Sequence, residues 1–307
     1  MTWLTNGVTN ATAAGERLAE RWRGPGILAI PGAHNPLAAL LAQRAGFQAI
    51  YLSGAALSAS LGLADLGLID LDELRLFTRA ISRVTALPLI VDADTGFGGI
   101  LNVMRTVREL EDAGAAAIQL EDQVTPKKCG HLGNKQVVPV AEMAAKIAAA
   151  VRARRHLRII ARTDAAGVEP LDSAIARARA YLAAGADAIF PEALTDEAMF
   201  RRFAAEIKAP LLANMTEFGR TPYFTTQQFE AFGFKMVIWP VSSLRVAAKS
   251  ITELYGCIAR DGSTLAMLER MQTRAELYDV IGYFDYEALD SSIAKSIVPP
   301  DRRPRQP

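Results

Sequence analysis

Cysteine, net charge and long apolar runs are what this chain of 307 residues has little of. Its two cysteines, Cys129 and Cys257, are too few for a disulfide framework and fit a reducing compartment. Lys and Arg number 34 against 33 Asp and Glu, and the net charge of +1 gives no reason to expect nucleic acid or an acidic membrane as partner. No apolar stretch reaches the roughly 18 residues of a membrane span. The N-terminus shows no basic patch followed by an apolar run, so no secretory signal is recognisable and the expected setting is the cytoplasm. A Gly-rich dinucleotide fingerprint is also missing. What remains is an ordinary globular composition, half hydrophobic and 22% charged.

The first organising signal is a repeated junction. Ala-Gly-Phe-Gln-Ala-Ile spans Ala45–Ile50, Ala-Gly-Ala-Ala-Ala-Ile spans Ala113–Ile118, and Ala-Gly-Ala-Asp-Ala-Ile spans Ala184–Ile189, with a looser copy at Phe232–Val237. In each, a helical pattern precedes the Gly and a short apolar run follows. Gly accepts the left-handed backbone that ends a helix and turns the chain back into a strand. Leu87-Pro88 and Ala209-Pro210 do the same with proline.

Counting the apolar runs gives eight, at 27–32, 49–54, 88–94, 117–122, 159–165, 188–193, 210–216 and 236–240. Short, continuous runs suit strands buried on both faces of a parallel sheet. Between them lie amphipathic helices, with stripes at Leu74, Phe77, Ile81 and Val84, at Met143, Ile147 and Val151, and at Met199, Phe203 and Ile207. The pattern predicts an α/β fold, a single (β/α)8 TIM-type barrel over 25–262, after an N-terminal helical segment over 1–24. An open doubly wound sheet is the alternative. Leu244–Arg260, with Ala247, Ile251, Leu254 and Ile258 on one face, is the expected eighth barrel helix. A helix over Thr264–Ile281 belongs to a C-terminal extension, 263–297, that packs across the barrel or reaches a neighbouring subunit. The Pro- and Arg-rich tail, 298–307, is expected to be mobile.

Barrel chemistry is built at the carboxyl ends of the strands. Here those ends are polar: Tyr51 and Ser53, Asp92 and Asp94, Glu121 and Asp122, Arg162 and Asp164, Glu192, then Asn214 and Thr216. Carboxylates on three successive strands would repel at one mouth, and a divalent cation resolves that repulsion. Asp92 and Asp94, two residues apart, share a strand face. An all-oxygen donor set suits Mg²⁺, or Mn²⁺, better than zinc. The bland alternative has one Asp capping the helix after Gly96–Gly99 and the other pairing with Arg162.

Pro126–Lys135 is a Gly-containing loop after strand four with the character of a lid. Cys129 lies there beside Lys127, Lys128 and His131, cationic surroundings that lower a thiol pKa, whereas Cys257 lies in an apolar helical stretch and reads as core. His34 reads as a loop or capping residue. Arg162, Arg245 and Arg274 make an anion-binding set for a polyanionic substrate.

Gln119–Asn134, with Leu-Glu-Asp-Gln and then Lys-Lys-Cys-Gly-His, resembles the signature of the isocitrate lyase and phosphoenolpyruvate mutase superfamily. Leu41–Ser53, Val91–Gly98, Ala161–Ala165, Phe190–Ala193, Ala213–Gly219 and Met271–Tyr278 extend the resemblance over residues 25–290. The cysteine loop points to the lyase branch, since mutases and decarboxylases of the superfamily generally lack that cysteine. The resemblance implies a Mg²⁺-dependent carbon–carbon lyase of propionate breakdown that cuts a 2-hydroxy tricarboxylate into pyruvate and succinate. It implies Mg²⁺ on Asp92 and Asp94, with Asp65 and Glu121 reaching through water. Ser53, Gly54 and Ala55 would contact the α-hydroxy acid end. Gly130, His131, Arg162, Glu192, Asn214, Met215, Thr216, Arg245 and Arg274 would bind the rest of the substrate. Cys129 would be the general acid and Glu121 a further catalytic group, and Tyr51 is the candidate base relay. The family usually has a second Gly where this chain has Ala55. The resemblance also implies a homotetramer with C-terminal helices exchanged between subunits.

Isocitrate lyases resemble one another in carrying Trp at the place of Phe190, and they are much longer. The smaller ring leaves room for an extra methyl, so a 2-methyl-substituted isocitrate is the expected substrate, with isocitrate and 2,3-dimethylmalate as alternatives. A catalytically silent barrel that binds a carboxylate is the alternative from outside the enzymes.

Overall fold

The computed structural model describes residues 3–4, 12–128, 130 and 135–293. The tail, Cys129 and His131 lie outside the described residues. Eight parallel strands form at the eight apolar runs: β1 (Leu28–Pro31), β2 (Ile50–Leu52), β3 (Leu89–Asp92), β4 (Ala117–Glu121), β5 (Arg158–Thr163), β6 (Ala188–Pro191), β7 (Leu212–Asn214) and β8 (Met236–Trp239). They pair in the orders β2-β3-β4-β5-β6 and β1-β8-β7. Parallel bridges at Gly32–Tyr51 and Ile189–Leu211 join the two groups into a closed ring. The repeated junctions turn as expected, with Gly46, Gly114, Gly185 and Gly233 all at positive φ, between 85° and 103°.

The helices are α1 (Ala14–Arg23), α2 (Pro36–Arg44), α3 (Gly54–Ser60), α4 (Leu71–Ser82), α5 (Ile100–Asp112), α6 (Val140–Ala153), α7 (Leu171–Ala183), α8 (Glu197–Glu206), α9 (Thr226–Ala231), α10 (Ser242–Asp261), α11 (Arg274–Ile281) and α12 (Tyr283–Ser292). Strand alternation divides the core in two. Outward residues such as Ile50, Val91, Ile118, Ile159 and Val237 pack under the helices. Inward residues such as Ile30, Ile90, Ala117, Ile160 and Leu212 fill the barrel. Leu18, Ala19 and Trp22 of α1 belong to that inner cluster, so the N-terminal helix plugs the barrel. Among the described residues no helix is long and apolar enough to cross a membrane.

The C-terminal part departs from the sequence reading. Thr264–Ile281 is not one helix: a 3₁₀ turn over Leu265–Arg270 precedes a break, and Thr273 and Glu276 then start α11 with a reciprocal capping box. Nor does α10 lay its apolar face on the barrel. Ile251 and Ile258 stay 47% and 41% exposed, and Cys257 alone of its described residues is buried. Further along, α11 returns to α2, where Arg44 pairs with Asp279.

The connection before β5 depends on one carboxylate. Glu111, its side chain fully buried, accepts the backbone N–H of Arg155 at 3.0 Å and those of His156 and Leu157 at 2.7 Å each. This cap lies at the amino ends of the strands, away from the polar mouth. Glu111→Ala leaves these donors unsatisfied and is expected to lose about 3 kcal/mol or more of stability in denaturant unfolding. Turnover, measured where both proteins are folded, is expected to stay the same; a stability equal to the wild type would contradict this role.

Candidate active site

The inward column of each strand is apolar low in the barrel and changes chemistry at its carboxyl end. Residues two apart share a strand face, so Ile90 leads to Asp92, Gln119 to Glu121, Ile160 to Arg162, Phe190 to Glu192 and Leu212 to Asn214. Asp92, Arg162, Glu192 and Asn214 line one cavity of about 130 Å³ together with Tyr51, Ser53, Ala55, Asp65, Lys127, Gly130, Phe190, Thr216 and Arg245.

Asp92, Asp94 and Glu121 each offer a carboxylate oxygen within 4.8 Å of the others, and all three are buried. The reason Asp94 joins Asp92 is not the expected one. Strand β3 ends at Asp92, and Asp94 lies beyond it with φ +46°. A bend therefore brings the carboxylates together, where strand pleating would not. The Glu121 N–H donates to the Asp94 carbonyl at 2.9 Å, tying that bend to β4. Gly54 approaches so closely that a Cβ would lie 3.1 Å from Asp94 Oδ1 and 3.3 Å from Asp92 Oδ2, and its N–H donates to Asp92 Oδ2 at 3.1 Å.

Burial and then Asp92 push the Asp94 carboxyl up to about 7, and burial pushes Glu121 well above the usual carboxylate range against the pull of Arg162. Glu121 Oε1 and Asp94 Oδ1 are buried without a well-directed hydrogen-bond donor, Lys127 facing Asp94 as an ion pair at 2.9 Å. Hard oxygen donors, with Glu121 Oε1 buried and without a donor, fit a divalent cation of the Mg²⁺ kind. The capping alternative fails: Gly99 precedes α5 with no side-chain cap, and Asp94 pairs with Lys127, not Arg162.

Arg162 is the cationic counterpart. It donates from Nε to Asp164 at 2.8 Å, and its terminal nitrogens lie 3.3 Å from Glu121 and 3.5 Å from Glu192. Burial alone would lower its pKa, but Asp164, Glu121 and Glu192 outweigh this and hold the guanidinium charged. Two residues support it in a way the sequence did not indicate, Lys135 lying in the loop and Asp122 at a strand end. Buried Lys135 donates to Asp164 at 2.6 Å. Fully buried Asp122 accepts from the Asp164 N–H at 2.9 Å, the Thr163 hydroxyl at 2.8 Å and the Tyr181 hydroxyl at 2.7 Å. Neither has a local signature, since both partners are far along the chain.

Most of the substrate-contact residues expected from the sequence meet here. Ser53 caps α3, accepting the Ala56 N–H at 3.3 Å, and Ala55 follows in that first turn. Gly130 presses on the site, where a Cβ would come within 2.5 Å of Arg162 and 2.6 Å of Glu192. Asn214 donates to Glu192 at 3.2 Å, and Arg245 reaches the Thr216 hydroxyl at 3.1 Å. Asp65 is held by Lys127. His34, in a loop as expected, lies 3.2 Å from the Ser243 hydroxyl.

Three residues differ from the expectation in place or in bonding. Met215 points into the core under the helices, and its N–H is taken by the Ile238 carbonyl at 2.8 Å, so its side chain is not at the mouth. Arg274 opens α11 on the α2 side of the molecule, exposed and apart from the cavity. Tyr51 does line the cavity, but its hydroxyl donates to Gln119 at 2.6 Å, and burial, then Asp92, move its pKa well upward. In this arrangement it donates to Gln119, and the upward shift favours the neutral phenol. A larger cavity of about 610 Å³ lies across Asp94 and Lys127, walled by Thr95, Phe97, Thr125, Val138 and Lys146. It lacks the convergence of acids with Arg162 that marks the smaller one.

The comparisons agree with this geometry. Residues 18–258 match the family model for phosphoenolpyruvate phosphomutase. The chain is 54% identical to a 2-methylisocitrate lyase of Bacillus subtilis (strain 168), over 97% of this chain and 99% of that one. It is similar to the crystal structure of 2,3-dimethylmalate lyase, a member of the phosphoenolpyruvate mutase/isocitrate lyase superfamily, with a TM-score of 0.86 and 35% identity over 91% of this chain and 95% of that one. It is also similar to phosphonopyruvate hydrolase in complex with oxalate and Mg²⁺, with a TM-score of 0.84 and 30% identity over 92% of this chain and all of that one. A barrel mouth of this kind, on a chain matching over most of its length, is shared by descent: the chain belongs to the phosphoenolpyruvate mutase/isocitrate lyase superfamily and, within it, to the 2-methylisocitrate lyase family.

Proposed function

We propose that the protein is a Mg²⁺-dependent carbon–carbon lyase that cleaves the C2–C3 bond of (2S,3R)-2-methylisocitrate to pyruvate and succinate. The observation that carries this reading is the convergence of Asp92, Asp94 and Glu121 at a mouth whose wall holds Arg162 and Arg245, on a chain of this family. Asp92 and Asp94 would hold the cation, with Glu121 and Asp65 reaching it through water. When bound, it supplies Lewis-acid stabilisation of negative charge on the C2 oxygen.

The protein's own residues do the rest. Arg162, Arg245, Asn214 and Thr216 bind and orient the substrate carboxylates, while Ser53, Gly54 and Ala55 meet the hydroxy-acid end. Gly130 and His131 would also bind the substrate carboxylates. The C2 hydroxyl proton passes to a carboxylate, for which Glu121, gathered with Asp92 and Asp94 at the mouth, is the candidate. As the C2 carbonyl forms, the C2–C3 pair moves onto C3 and its carboxylate. The Cys129 thiol delivers a proton to C3, completing succinate, and the thiolate is reprotonated from solvent.

Phe190 carries the substrate choice. It is 1% exposed, lines the cavity, and has the Arg162 guanidinium 5.2 Å from its ring centroid. Its size relative to Trp leaves room for the extra methyl.

The assembly we propose is a homotetramer in which C-terminal helices are exchanged. Supporting it, Val246 and Tyr255 of α10 are 68% and 66% exposed, and an apolar groove of about 380 Å³ beside α2 is lined by Leu37, Leu41, Phe47 and Ala247. An α11 docked on a partner would also carry Arg274 away from its own α2.

Product analysis with Mg²⁺ is expected to give pyruvate and succinate from 2-methylisocitrate at far higher kcat/KM than glyoxylate from isocitrate. A preference for isocitrate or 2,3-dimethylmalate would overturn the substrate assignment. In the same assay Cys129→Ser should lose about 10²- to 10⁴-fold in kcat, and retained activity would remove the thiol from the mechanism. Phe190→Trp should lower the ratio of kcat/KM for 2-methylisocitrate over isocitrate by roughly 10- to 200-fold, the worth of one methyl in a pocket. An unchanged ratio would show that selectivity lies elsewhere.

A further inference from the structure

We propose that Lys127 is a tethered counter-cation of the carboxylate cluster, paired with Asp94 and Asp65 when no divalent ion is bound and displaced from Asp94 when one binds. This rests on the metal reading above and concerns a side chain to which that reading gives no part.

The Lys127 ammonium pairs with Asp65 and lies 2.9 Å from Asp94 Oδ1, with 7% of its side chain exposed. Asp94 is at the same time one of the three carboxylates gathered within 4.8 Å. One ammonium therefore sits where the cluster is set to receive a divalent charge. Buried carboxylates this close are held together only by positive charge nearby. The other buried cations at the mouth are already engaged, Arg162 by Asp164, Glu121 and Glu192 and Lys135 by Asp164. Lys127 is what neutralises the Asp94–Asp65 side.

An ammonium and a divalent ion beside the same carboxylate repel each other, and the divalent ion, with several carboxylates in reach at once, wins. A lysine can yield because its charge sits on a flexible four-carbon stem, unlike the planar fork of Arg162. There is also space to yield into. Lys127 lines both the catalytic cavity and the cavity of about 610 Å³ on its other side, whose wall carries Glu142. Lys127 thus preserves the site in the metal-free protein and weakens metal binding in return.

The test compares the wild type with Lys127→Met, without substrate, by thermal unfolding in EDTA and in saturating Mg²⁺ and by calorimetric Mg²⁺ titration. The variant should melt several degrees below the wild type in EDTA and close to it in Mg²⁺. Its Mg²⁺ dissociation constant should be tighter by about tenfold, as expected when one nearby like charge is removed. Equal melting in EDTA, or an affinity unchanged or weaker, would overturn the proposal while leaving the metal reading intact. A wild type that binds no Mg²⁺ would overturn both. If the variant does not fold even with Mg²⁺, amine acylation of the wild type decides. Labelling of Lys127, read by mass spectrometry, should rise several-fold when Mg²⁺ is added, and an unchanged rate overturns the displacement.

Discussion

Like charge buried at one end of the barrel is the constraint on which the rest of this structure depends. Asp92, Asp94, Glu121, Asp164 and Glu192 are all buried at the mouth, and Lys127, Lys135 and Arg162 are buried among them. Such groups are stable only when each is paired and held in place, because an isolated charge in this environment would take up or lose a proton. The bend at Asp94, the close approach of Gly54 and the division of Arg162 among three carboxylates all follow from that need. The acidic cluster of Asp92, Asp94 and Glu121 that results is of a kind that could hold a metal ion.

The barrel makes this crowding possible by separating stability from reactivity along each strand. Low in the barrel the inward residues are apolar, and Leu18, Ala19 and Trp22 of α1 close that end. Glu111 organises the backbone there with no part in the mouth. One or two residues further along, the same inward column turns polar. Behind it, Asp122 anchors Asp164 from the outward face, and Asp164 in turn holds Arg162 from outside the cavity. Sites built on strand ends inherit their precision from this backing.

Much of this was legible in the sequence because it is local. The glycine junctions mark where helices turn back, and every one of the eight apolar runs contains a strand. Asp92, Arg162, Glu192 and Asn214 can be read as mouth residues because a period of two carries them inward. What was not legible depends on distant partners or on broken periodicity. The bend after Asp92 ends the strand that seemed to unite the two aspartates. Lys135 and Lys127 look like loop lysines until the fold brings Asp164 and Asp65 to them. Met215 has the sequence neighbourhood of a site residue but the opposite parity to Asn214, and parity decides its direction. The amphipathic face of α10 was read correctly as apolar, yet it does not cover its own barrel, because periodicity shows that a face must be buried and not against what.

The central claim is that the carboxylate cluster is a divalent-cation site, and a crystal grown with Mn²⁺ tests it most directly. Anomalous scattering at the manganese edge should show a peak at Asp92 and Asp94, within reach of Glu121 through water. A peak elsewhere, or none at a Mn²⁺ concentration that supports turnover, would contradict the account.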